Sequence, residues 1–110
     1  MAYDEALAER IRLFLAAQPA VSEWKQFGGI GFMVHGNMAC GVIGDRLIVR
    51  VGRDRYEETL TLPHVSVFDM TGSPMRGWIT VSPEGYASDD DLKIWLDRGV
   101  AFAKTLPPKS

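Results

Sequence analysis

At 110 residues the chain has the common size of one domain, long enough to bury roughly two thirds of its unfolded surface without staples. Its formal net charge of −2 excludes a strong long-range pull toward nucleic acid or anionic membrane, and its one cysteine, Cys40, excludes an intramolecular disulfide. No apolar run approaches the ~20 residues of a membrane span, and Asp4, Glu5 and Glu9 stand where a basic leader would begin, so a cytoplasmic chain without membrane contact is expected.

The first element is a helix. Asp4 suits its N-cap, and Leu7, Ile11, Phe14 and Leu15 recur on one face before Pro19 ends it. Residues 21–27 read as an edge strand, with Val21, Glu23, Lys25 and Phe27 on one side and Trp24 and Gln26 on the other. A meander follows in residues 30–35, 38–43 and 46–51, turning at Gly36-Asn37 and Gly44-Asp45. Two-residue turns place Phe32 and Ile48 on either side of Gly41, a large ring over a strand glycine. One sheet face then carries Met33, Met38, Cys40, Val42, Leu47, Val49 and Val51. The other carries Ile30, Phe32, Val34, Ala39, Ile43 and Ile48, with Arg46 and Arg50.

Gly52 breaks the last of these strands. Residues 54–62 read as a short helix with Tyr56 and Leu60 inward, stopped before Pro63. Residues 65–70 and 77–82 read as two further strands around a turn at 71–74. Ser88 caps the last helix, Asp89, Asp90 and Asp91 fill its first turn, and Leu92, Trp95, Leu96, Gly99, Ala103 and Leu106 form its inner stripe. A glycine in that stripe points to close packing at Gly99. The fold class is α+β: about six antiparallel strands in α-β4-α-β2-α order, with helices mainly on one sheet face, in a single domain spanning residues 1–110. The opposite face, through Ile30, Phe32, Val34, Ile43 and Ile48 with Arg50, is then too apolar for open solvent and reads as an interface.

The chemistry-bearing residues are sparse. Gly28, Gly29 and Gly31 lack the Lys-Ser/Thr of a phosphate loop and the helix of a dinucleotide fingerprint, so a strand junction is the simpler reading. Cys40 is the only thiol and His35 and His64 the only imidazoles; a mid-strand thiol between apolar neighbours is ordinarily inert core. One cysteine and two dispersed histidines make no zinc site, and the aspartates at 89–91 are explained by the helix start. Arg46, Arg50, Arg53 and Arg55 are interleaved with Asp45, Asp54, Glu57 and Glu58, which reads as a salt-bridged rim rather than a nucleic-acid stripe. Met75, Arg76 and Trp78 share one loop and have interface chemistry, though a plug into the core fits them equally. No catalytic, cofactor or metal set emerges. The leading reading is a non-enzymatic interaction module, a homodimer or one binding a protein partner; the alternative is a small ligand-binding domain or enzyme using Cys40, His35 or Arg50 in a cleft.

The segments FGGIGFMVHGNMACGV at 27–42, LIVRVG at 47–52, RYEE at 55–58, GSPMRGW at 72–78 and WLDRGVAFAKTLPPK at 95–109 form a specific combination. Together they resemble the TfoX N-terminal domain family, named after a regulator of bacterial natural competence. Gln26 stands where the family usually has methionine before the FGG. The resemblance implies an α+β domain of the secretion-chaperone-like kind, often dimeric, with a regulatory role and no catalytic residues to carry over.

Overall fold

A computed structural model describes residues 3–26, 28–69 and 72–108. The chain forms α1 (Glu5–Leu15), β1 (Val21–Gln26), β2 (Gly29–Val34), β3 (Asn37–Ile43), β4 (Arg46–Arg50), α2 (Arg53–Leu60), β5 (Val65–Val67), β6 (Trp78–Val81) and α3 (Asp89–Lys104). Phe27 of the expected edge strand and Met70 and Thr71 of the expected strand and turn lie outside the described residues. The six strands make one antiparallel sheet in the order β1-β2-β3-β4-β6-β5, and with three helices the class is α+β.

Local chemistry sets the helix ends. The Asp4 carboxylate accepts from the Ala6 and Leu7 amides at 2.9 and 3.1 Å, and the Ser88 hydroxyl accepts from the Asp91 amide at 3.1 Å. The stripe of α3 buries Leu92, Trp95, Leu96, Gly99 and Ala103. A Cβ at Gly99 would intrude on the Ala39 carbonyl, so the missing side chain lets the helix lie directly on β3. The indole N–H of Trp95 donates to the Gly85 carbonyl at 3.1 Å, which satisfies the polar edge of a buried ring.

The principal core joins Leu7, Ile11, Tyr56, Leu92 and Leu96 from the helices to Ile30, Phe32, Cys40, Val42, Leu47, Val49, Ile79 and Val81 from the sheet. A small satellite of Val34, Ala39 and Ala103 lies beside it. Every buried apolar side chain of the three helices enters one of these two clusters, so one sheet face receives all three helices.

The expected register of β2 is corrected here. The turn is His35-Gly36 rather than Gly36-Asn37, because Val34 pairs with Asn37. His35 and Gly36 both take positive φ, +51° and +80°, as a two-residue turn matched to strand twist requires. Asn37 is instead drawn inside, where its side-chain amide donates to the Pro107 carbonyl at 2.9 Å. The ladder then shifts between Phe32 and Met33, so Phe32 faces Cys40 and not Gly41. The irregularity turns the β2 side chains to the opposite face from the one expected. Ile30, Phe32 and Val34, expected on an unpartnered face, are core residues beneath the helices. Met33 and Met38 move the other way.

Candidate functional site

The face away from the helices follows from the pairing. Trp24, Gly31, Gly41, Ile48, Thr80 and Ser66 lie in one row across all six strands. Two glycines leave the middle of that row without side chains, and Met38 fills the space. Its sulfur and methyl carbon lie 3.3 Å from where a Gly31 Cβ would stand. Beside this floor Trp24 is 55% exposed, and Met33, Met38 and Ile43 are half-buried. Ile48 is buried yet belongs to neither core cluster. Arg46 and Ser22 put polar groups at the margins. Of the residues expected to form an apolar interface, Ile43 and Ile48 are on this face; Ile30, Phe32 and Val34 are not. Trp24, Met33 and Met38 were missed because their side depended on a one-residue slip that no composition signal reveals.

At the end of β4 the chain builds something different. The end of that strand, the start of α2, residues 76–78 and the second half of α3 enclose an open cleft of about 1120 Å³. Its wall carries five arginines, Arg50, Arg53, Arg55, Arg76 and Arg98, against two aspartates, Asp54 and Asp97. Arg50 follows Ile48 by two residues on β4 and pairs with Trp78, which places it where the sheet ends and the cleft opens. Its guanidinium carbon lies 4.9 Å from the centre of the Trp78 ring and 5.3 Å from that of Phe102. Burial of this charge pushes its pKa down from the usual arginine range. Arg55 pairs with Glu58 at 3.4 Å and Arg76 with Glu57 at 3.1 Å, the kind of salt-bridged rim expected of the region. Arg50, Arg53 and Arg98 have no carboxylate partner among the described residues.

The expected thiol and imidazoles do not join either surface. Cys40 is fully buried, and burial pushes its thiol pKa up to about 12. His35 is exposed in the β2–β3 turn, and His64 is exposed before β5. The cleft that holds Arg50 is lined by none of these three residues. Among the described residues no three metal-binding side chains come together, and no helix is long and apolar enough to cross a membrane.

The TfoX N-terminal domain profile matches residues 14–103, from the last turn of α1 through nearly all of α3. The chain belongs to the TfoX N-terminal domain family. No curated protein matches its sequence. Both surfaces of this TfoX N-terminal domain lie within the matched span, since Trp24, Met33, Met38, Ile43 and all five cleft arginines fall inside it. The loop residues singled out in sequence divide. Trp78 is half-buried beneath Arg50 and against Phe68, with ring centres 6.2 Å apart, whereas Met75 and Arg76 are exposed.

Proposed function

We propose that this TfoX N-terminal domain is a non-enzymatic interaction module, regulatory in role, that pairs with a second copy of itself through the outer face of the sheet. The carrying observation is the face itself: exposed Trp24 and half-buried Met33, Met38 and Ile43 around a floor of two paired glycines. Large aromatic and methionine side chains on a flat, low floor are the composition of interface centres. A twofold arrangement lets the same patch serve both copies, with Trp24 of each laid toward the floor of the other. Family resemblance carries the same expectation of dimers. A fully buried thiol held protonated supplies no nucleophile at neutral pH, which supports the non-enzymatic part of the reading. Among the described residues no run of arginines crosses the centre of this face, which supports a reading without nucleic-acid contact there.

Trp24→Asp tests it. Trp24 is exposed, so the substitution leaves the fold standing. Sedimentation should show wild type associating with concentration and the variant remaining monomeric, with matching circular dichroism. Wild type sedimenting as a monomer at its highest soluble concentration would overturn the proposal.

A further inference from the structure

We propose that the arginine-lined cleft at the end of β4 is a binding site for a small phosphate-bearing ligand; it shares no lining residue with the patch of Trp24, Met33, Met38 and Ile43. A chain of net charge −2 places five arginines around one concavity, and they arrive from four separate parts of the fold. Arg50 comes from β4, Arg53 and Arg55 from α2, Arg76 from the segment before β6, and Arg98 from α3. A solvated rim needs no such convergence. Each guanidinium presents a planar fork of donors matched to phosphate or carboxylate oxygens. Several around one cleft exceed what a single carboxylate balances, so a group carrying more than one negative charge fits best.

Arg50 is the centre of the site. Trp78 and Phe102 hold its guanidinium by their rings, which fixes the group without using the hydrogen-bond capacity that a carboxylate partner would take. Among the described residues it meets no counter-charge, and its partial burial costs it solvation that a bound anion would replace. Arg53 and Arg98 are likewise without carboxylate partners among the described residues, whereas Arg55 and Arg76 are partly neutralised by Glu58 and Glu57.

The cleft suits a small molecule better than a polymer. About 1120 Å³ lies just above the ~300–1,000 Å³ of small-ligand pockets, which leaves room for a nucleotide-sized molecule. A polyanion leaving the cleft along α3 would meet Asp97 and then Asp89, Asp90 and Asp91 at the helix start.

The test is calorimetric titration of the full chain with pyrophosphate and with ATP at low ionic strength, repeated with Arg50→Gln, Arg53→Gln and Arg46→Gln. Arg46 is an exposed residue of the sheet outside the cleft and serves as the charge control. Both probes should bind the wild type, Arg50→Gln and Arg53→Gln should each weaken binding about tenfold, and Arg46→Gln should leave it unchanged. Arg53 is exposed, so its variant remains informative if loss of Arg50 unsettles the Trp78–Phe102 packing. Absence of binding by either probe, or equal weakening by Arg46→Gln, would overturn the proposal. So would a short single-stranded oligonucleotide that binds more tightly than ATP with a salt slope growing with its length. Loss of dimerisation in Trp24→Asp leaves this titration unaffected, so the two proposals fail separately.

Discussion

Cys40 is a nucleophile by residue type and a core side chain by environment. Burial is what shifts it, and among the described residues its thiol has no side-chain hydrogen-bond partner, so its ionised form would stand desolvated between β-strands. Its folded pKa of about 12 lies above the ordinary 9.0, so the folded chain holds the proton more tightly than the unfolded one. The stability this contributes is complete below the unfolded value and is lost as pH rises from there toward the folded value. Denaturant titrations near pH 8 and near pH 10.5 should therefore show wild type losing on the order of 2 kcal/mol more across that interval than Cys40→Ala. Comparing losses rather than absolute stabilities removes the cavity that alanine creates, and Tyr86, whose pKa burial also raises, contributes to both proteins alike. Equal losses would show that the thiol is solvated.

At the scale of elements, the β2–β3 hairpin decides which side chains are surface. Most of the surrounding structure was legible in the sequence. The caps at Asp4 and Ser88, the α3 stripe from Leu92 to Ala103 with its close contact at Gly99, and the Gly41–Ile48 pairing all follow from local spacing and are present, whereas Leu106, expected in the stripe, lies beyond the helix end. The hairpin was not legible because two readings of HGN compete. Asn-containing turns are favoured by propensity, but Asn37 is recruited by the Pro107 carbonyl far along the chain. His35 then takes the left-handed position that Asn would have filled. The arginine cleft was illegible for a related reason: its members are dispersed over β4, α2, the segment before β6 and α3, and only packing gathers them. Left-handed geometry at His35 makes a direct prediction. His35→Asn should retain stability, whereas His35→Val, β-branched at positive φ, should cost about 1–2 kcal/mol in thermal or denaturant unfolding. Equal stabilities of the two variants would place the turn elsewhere.

Across the whole molecule, one side of the sheet is covered by the helices, the other carries Trp24, Met33 and Met38, and the cationic cleft sits at the sheet's end. Charging Phe32, which the expected register made an interface residue, would break the core instead, since it is 1% exposed among Ile30, Cys40 and Val42. The methionines report directly on the face proposed to pair. Met33 and Met38 lie on the outer face, while Met75 is exposed on a separate loop. Methyl resonances of the three can be followed with a soluble paramagnetic agent at low and high protein concentration. If two copies meet through the outer face, the Met33 and Met38 methyls become shielded as concentration rises and the Met75 methyl stays accessible. Association that shields Met75 and leaves Met33 and Met38 open, or no shielding at any concentration, would contradict it.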